Sequence, residues 1–462
     1  MHPSQQISTP QQKRVQHHAS GTDSYAMFNL LTGPQLLDQV EDLLPEHRER
    51  LFPPTETLSM FLAQSLSADG SCQQVVNDTA VKRLICGLKP GKTNTGGYCK
   101  ARSRLPLTMI SALAIKTGEI VAQGAASCWH WRGRQVRLVD GATVTLPDTK
   151  ENQEDYPQSN SQKAGLGFPV CRLVALLCLG SGALLNAATG PCKGKGSDEQ
   201  SLLRSILDTL KGDDILLGDA FYATYFLLCE LVSRGVDGVF EQHGSRKRST
   251  DFSKGEKLGA RDHLIVLNKP KKKPDWMSQD EYDQAPATLK VREFKAGAKV
   301  MVTTFLCAKD TPKSMLKVLY RSRWNVELDL RNIKTTLGME ILRCKTPEMA
   351  IKELWVYLLA YNLIRLLMAQ AALLADQIPR QLSFKHTLQI WVAWQLRGGS
   401  THDAVSINAL LVLIAEPRVG RRPGRVEPRA LKRRAKPFPL LTEPRQAARE
   451  GIRKNGHPEK QR

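Results

Sequence analysis

The chain has 462 residues, 41% of them hydrophobic, which is enough for two or three domains with sizeable cores. Its formal net charge is +21 and its pI about 9.6, a balance that speaks to partners rather than to fold and puts nucleic acid first, because phosphate is what Lys and Arg neutralise best. Ten cysteines with no C-x-x-C pair and no Cys/His cluster argue against a zinc site and read as reduced, buried small hydrophobes of a cytosolic protein.

Residues 1–27 are polar and are expected to be disordered, and no apolar run opens the chain as a secretory signal would. From 28 to 130 the pattern is helical: Leu30, Leu31, Leu36, Leu37, Val40, Leu43 and Leu44 recur at steps of three and four. Pro53-Pro54 followed by Thr55-Glu56-Thr57 marks a helix start. This region reads as a separate, small helical domain. At 134–147 the character changes. Val136, Leu138 and Val139 form a short β-rich run ending at Asp140-Gly141. Val170–Leu179 and Ala183–Thr189, joined by a Gly-Ser-Gly turn, read as a hairpin. A helix over Glu199–Leu210 is expected after the cap Ser197-Asp198. It is followed by a buried strand at Asp214–Leu217 ending in Gly218-Asp219-Ala220, a helix from Ala223 to Ser233, and a strand at 236–241. Alternation of this kind is a mixed α/β pattern.

Residues 243–306 break the rhythm. From 243 to Lys273 they carry ten Lys and Arg against three acids, and the runs 264–267, 289–294 and 299–306 are strand-like. They form a basic, β-rich insertion. Long helices are then expected at 312–338 and 346–376. Two apolar stretches, 168–190 and 354–378, are interrupted by Arg172 and by Asn362, Arg365 and Gln370, groups costly in lipid, so both read as core and no membrane contact is expected. From Arg418 to Arg462 fifteen Lys and Arg face four Glu, a net +11, so over half of the excess charge sits in about a tenth of the chain.

Two of these elements carry chemistry. Asp140 and Asp219 each follow a short apolar strand, and in open α/β sheets the carboxyl ends of strands are where ligands bind. If the strands are neighbours, two like charges meet and require a proton or a cation. A third carboxylate comes from the helix at 312–338. At about 100° per residue, Arg323, Glu327 and Lys334 lie about −60°, −20° and −40° from Tyr320, on one narrow face. Asp329 lies on the opposite side. A stripe of Tyr, Arg, Glu and Lys makes a poor core face, so on geometry alone it is either a solvated, salt-bridged surface or a site.

The text Tyr320-x2-Arg323-x3-Glu327-x6-Lys334 resembles the Y-R-E-K signature of the insertion-sequence family four DDE transposases. Asp140-Gly141-Ala142-Thr143 and Gly218-Asp219-Ala220-Phe221-Tyr222 resemble that family's two aspartate contexts, and the helical region before Asp140 and the basic insertion before Glu327 resemble its layout. Ala142 and the Gly218-Asp219 pair depart in detail from common family text. The resemblance implies an α/β chain with an RNase H-like catalytic core, a β-rich insertion, an all-helical N-terminal domain and a helical C-terminal region. Residues 28–130 would bind DNA, 131–242 and 307–345 would form the core around the insertion 243–306, 346–414 would be helical, and 415–462 would be a basic, disordered tail.

Under the same resemblance Asp140, Asp219 and Glu327 hold two Mg²⁺ ions, which Mn²⁺ can replace, and cut and join DNA. Three carboxylates without clustered His or Cys suit the oxygen preference of Mg²⁺. Arg323, Lys334 and Tyr320 would grip phosphates at the transposon end. Trp276 in the insertion is a candidate to stack on an extruded base, with a place in the insertion's own core as its alternative, while Trp324 is expected to pack inward. His243 and Arg246 would line the DNA path or be solvated. The implied partner is double-stranded DNA with terminal inverted repeats, held by a homodimer in a synaptic complex in the bacterial cytoplasm. The alternatives are an inactive DNA-binding derivative of such an enzyme and a metal-free, paired-carboxylate hydrolase, the latter at odds with the charge of +21.

Overall fold

The computed structural model describes residues 52–396 except 68, 86 and 195, together with 43–44, 404–416, 419 and 440–456. The expectations of a disordered N-terminus and of helix between 28 and 42 lie outside the described residues, as does most of the tail. Four helices open the described chain: α1 (Pro54–Leu66), α2 (Cys72–Ile85), α3 (Gly96–Arg104) and α4 (Leu107–Gln123). Then come β1 (Val136–Thr145), β2 (Val170–Cys178), β3 (Leu184–Pro191), α5 (Glu199–Arg204), β4 (Ile215–Gly218), α6 (Tyr225–Ser233) and β5 (Asp237–Glu241). The basic segment supplies β6 (Glu256–Gly259), β7 (Asp262–Asn268), β8 (Thr288–Ala296) and β9 (Lys299–Thr303). Helices α7 (Lys313–Arg321), α8 (Asn325–Arg331), α9 (Pro347–Leu374), α10 (Phe384–Leu396), α11 (Ala404–Ala415) and α12 (Arg445–Asn455) complete it.

The strands form one nine-stranded mixed sheet in the order β3-β2-β1-β4-β5-β9-β8-β7-β6. Strands β1, β4 and β5 are parallel; β2 is antiparallel to both β1 and β3. The insertion strands extend this same sheet, because β9 pairs antiparallel with β5 through Val239–Thr303 and Phe240–Val302. Side chains alternate between two cores, as the two-residue period of a strand requires. Leu138, Leu173, Ala175, Leu177, Leu217 and Val239 face the core shared with α4 and α9. Val139, Val174, Leu176, Leu216 and Phe240 face the core shared with α5 and α6. Burial on both faces explains why β2 and β4 read as continuous apolar runs rather than as alternation.

Helix α9 is the spine of the first core. It is long and apolar enough to cross a membrane, but 89% of its most apolar stretch is buried inside the protein. Its one fully buried amide, Asn362, receives the Leu184 amide (2.8 Å) and donates to Ala114 O (2.7 Å) and Leu184 O (2.8 Å), tying α9 to α4 and β3. Gly118 makes this possible: a Cβ there would fall 1.8 Å from Leu184 O. The N-terminal helices therefore do not close on a separate core. Leu58, Phe61, Met109, Ile110 and Leu113 join the same cluster as α9, with only Met60, Val75, Val76 and Tyr98 forming a small core of their own.

Helix α1 starts where Pro53-Pro54 puts it, and it buries an unusual group. Glu56 is 1% exposed, neither carboxylate oxygen accepts a hydrogen bond, and the Arg83 guanidinium stands 3.7 Å away. Burial pushes its carboxyl up to about 7, against the pull of Arg83. A raised carboxyl destabilises the fold only where the unfolded chain is ionised. No cost exists below about 4.5, it grows between there and 7, and it is fully present above, at most about 3 kcal/mol at 1.36 per unit. Glu56→Gln is expected to raise the melting temperature by a few degrees at pH 8 and to leave it unchanged at pH 4, measured by thermal unfolding at both.

Three expectations are corrected here. Strand β1 does not end at Asp140: it runs on to Thr145 because its antiparallel pairing with β2 continues, and only its pairing with parallel β4 stops, at Leu138 opposite Leu217. The helix at 312–338 is broken into α7, a 3-10 turn at Ser322–Trp324, α8 and a π-turn at Asn332–Thr336. Within the tail expected to be disordered, α12 is a helix with no buried residue, and its Arg445, Arg449 and Arg453 are spaced for one face.

Candidate active site

The register of the sheet builds the site. Leu138 opposite Leu217 is the last pair between parallel β1 and β4, so Asp140 lies two residues past it on β1 and Asp219 two residues past it, just beyond the end of β4. Asp219 caps a 3-10 turn: its Oδ1 accepts the Phe221 amide at 2.8 Å, which fixes the carboxylate just past the strand end. Asp140 accepts the Gly141 amide at 2.9 Å. Burial pushes the Asp140 carboxyl up to about 6. The Gly141 amide and Arg323 pull it down, and the carboxylates of Asp219 and Glu199 push it up again.

Glu327, on the first turn of α8, joins them through Arg323. The Arg323 guanidinium donates to Glu327 Oε1 at 2.7 Å and stands 3.6 Å from Asp140 Oδ2. One arginine thus bridges two of the three expected carboxylates. Glu327, Asp140, Lys334, Thr143 and Glu199 line a single open cleft of about 500 Å³. Lys334 sits in the π-turn, where the wider coil holds it on the cleft side.

The other expected residues divide. Tyr320 is only 8% exposed and its hydroxyl oxygen is shut off from solvent, so as folded here it packs beneath the site and offers no grip on a phosphate. Trp324 goes the other way: it is 57% exposed where core packing was expected, because the 3-10 turn rotates it out from the apolar side of the helix. Trp276 is 41% exposed, with the Arg204 guanidinium 3.5 Å above its ring and Phe226 edge-on at 6.1 Å. It therefore packs on α5 and α6 rather than inside the insertion. Arg246 is not simply solvated: its Nε lies 3.2 Å from Glu293, a buried carboxylate that also receives Gln242 (2.5 Å) and meets His263 Nε2 (3.1 Å).

Glu199 is the residue that reading the sequence missed. It opens α5, where it was seen only as part of a capped helix start, and Asp198 does cap that helix, accepting from Gln200 and Ser201. The signal was in the topology: β3 is parallel to β1, so the chain leaving β3 emerges at the edge where Asp140 lies.

The donor set fits a hard divalent cation. It consists of oxygens alone, it is partly buried, and its carboxylates crowd one another with Arg323 as the resident counter-charge. Among the described residues, as they stand, no three acidic, His or Cys side chains already converge on a single point. A cation would have to be shared by side chains that move in, with Arg323 giving way.

Comparisons with known proteins bear on the family of the chain. The family described as "Transposase DDE domain" matches residues 131–363, half of the chain, a span holding all three carboxylates. The transposase InsG for insertion sequence element IS4 of Escherichia coli (strain K12) is 27% identical over 346 residues, 74% of this chain and 75% of its own length. The putative transposase InsZ of the same strain is 40% identical over 106 residues, 23% of this chain and 34% of its own. A nine-stranded mixed sheet that brings two register-matched aspartates beside a helix-borne glutamate, within the span that the family covers, makes this chain a member of the DDE transposases of the IS4 family.

Proposed function

We propose that the chain is a cut-and-paste DNA transposase that cleaves phosphodiester bonds at transposon ends and joins the freed 3′-hydroxyl to target DNA, with Asp140, Asp219 and Glu327 as the metal-binding triad of an RNase H-like core. The observation that carries the reading is the meeting of Asp140, Arg323 and Glu327 at one cleft, with Asp219 just beyond the end of the neighbouring strand. Asp140 lies between the other two and would be shared by two Mg²⁺ ions, Asp219 and Glu327 holding one each; Mn²⁺ would substitute. Bound there, the ions supply Lewis acidity that readies an attacking water or 3′-hydroxyl and stabilises the leaving oxygen.

The chain's own residues do the rest. Once cations took up the charge of Asp140 and Glu327, Arg323 would be free for a bidentate phosphate contact, and Lys334 would make a point contact from the π-turn. Trp276 and the exposed Trp324 offer aromatic surface to an unpaired base. The net charge of +21 draws DNA in with a strong salt dependence. The substrate would be duplex DNA with terminal inverted repeats, paired by a homodimer.

The test is incubation of the full chain with a labelled duplex carrying the element's own end. Nicking at the terminus with Mg²⁺ or Mn²⁺, none with EDTA, and none by Asp219→Ala despite retained end binding is the expected result. Cutting by Asp219→Ala would overturn the triad, and binding without any metal-dependent nicking would mark an inactive derivative.

A further inference from the structure

Glu199 stands in the cleft without a part in the triad. Its carboxylate lies directly over the backbone next to Asp140: a Cβ at Gly141 would fall 2.2 Å from its Cδ, 2.3 Å from Oε1 and 2.6 Å from Oε2. A side chain at position 141 would displace it. The Tyr222 hydroxyl, on a fully buried ring three residues beyond Asp219, donates to Glu199 Oε2 at 3.3 Å. The acid therefore lies against the backbone beside Asp140 and is held from the Asp219 side by the Tyr222 hydroxyl. Arg323 answers Asp140 and Glu327, while Arg172, the basic group near Glu199, is engaged with Ser197 O at 2.6 Å. A helix start can use an acidic residue for its own dipole, but that role needs no close approach to Gly141 and no cleft lining.

We propose that Glu199 is a fourth carboxylate of the site and an oxygen partner of the cation held between Asp140 and Asp219. The inference rests on the reading above of that cleft as a cation site. A small hard cation takes six oxygens, and the triad, substrate phosphate and water leave room for one more protein oxygen.

Binding of Mn²⁺ to the full chain, followed by calorimetry or by its electron paramagnetic resonance, tests this without any cleavage assay. Glu199→Gln keeps the shape and removes the charge. Its Mn²⁺ affinity is expected to fall by roughly 10–100-fold, the range seen when a supporting carboxylate is lost, with melting temperature and DNA-end binding unchanged. Asp140→Asn and Asp219→Asn serve as references. Mn²⁺ binding by Glu199→Gln within twofold of the native chain, while both references lose it, would leave Glu199 as a helix-start residue and overturn the proposal alone. Unchanged binding in the references as well would overturn the cation site itself and the proposal with it. Should Glu199→Gln melt early, Glu199→Cys decides: with Cd²⁺ it is expected to show a thiolate charge-transfer band beyond that of the native chain, weakened when Asp219→Asn is added. A spectrum identical to that of the native chain would sink the assignment.

Discussion

Glu327→Gln is expected to lower metal-dependent strand cleavage by at least ~10³-fold, about 4 kcal/mol of barrier, while transposon-end binding stays within about twofold. The substitution is isosteric, and the amide oxygen can still accept from Arg323, which now donates to Oε1 at 2.7 Å. What disappears is one of the negative charges that would face a doubly charged ion, in a cleft where Asp140 and Asp219 come from the sheet side and Glu199 from the start of α5. Without Glu327 nothing acidic from α8 reaches across. The side chain is about a third exposed, so its removal leaves no buried hole and the fold is unaffected. Mutant protein with native melting temperature and native end binding that still nicks at more than a tenth of the native rate would remove Glu327 from the triad.

The elements that carry this chemistry were legible because their signals are local. Val136–Val139 and Ile215–Leu217 are short apolar runs that stop at an acid, and a chain whose strands are covered on both faces must write them so. The hairpin of β2 and β3 and the helix α9 were legible for the same reason. What failed depended on pairing or on phase. The extension of the core sheet by β9 is set by an antiparallel contact with β5 that spans some sixty residues, and nothing in either strand announces it. The helical wheel correctly grouped Arg323, Glu327 and Lys334, yet it could not say which side of the stripe faced the core, so Tyr320 went in and Trp324 came out. A 3-10 turn and a π-turn within fifteen residues spoil a constant 100° step. Glu199 was hidden because its position follows from strand order, which topology decides and composition does not.

The opposite side of the same helix holds the second large effect. Asp329, two residues from Glu327 and 1% exposed, accepts from Arg365 on α9 and from Arg380 Nη2 at 2.8 Å. Arg365 is itself buried, with its Nε donating to the Tyr361 hydroxyl at 2.9 Å, and Arg380 also donates to Cys178 O (3.1 Å) at the end of β2. One carboxylate thus pins α8 to the spine helix and to the sheet. Asp329→Ala is expected to destabilise the chain by about 3–5 kcal/mol, because it strands a buried guanidinium rather than merely losing a contact. Thermal or denaturant unfolding reads this directly. Adding Arg365→Met, which removes the stranded charge and keeps most of its volume, is expected to recover part of the loss, as replacement of a buried ion pair by apolar groups often does. The double variant separates anchoring from charge. Even when restored in stability it lacks the tie that fixes α8 against the sheet, so Glu327 is no longer held opposite Asp140 and cleavage stays low although every cleft residue is intact. Glu327→Gln shows the converse, native stability with no cleavage. Should Asp329→Ala unfold like the native chain, the buried arginines are neutralised elsewhere, and the helix carrying Glu327 is held by its apolar face alone.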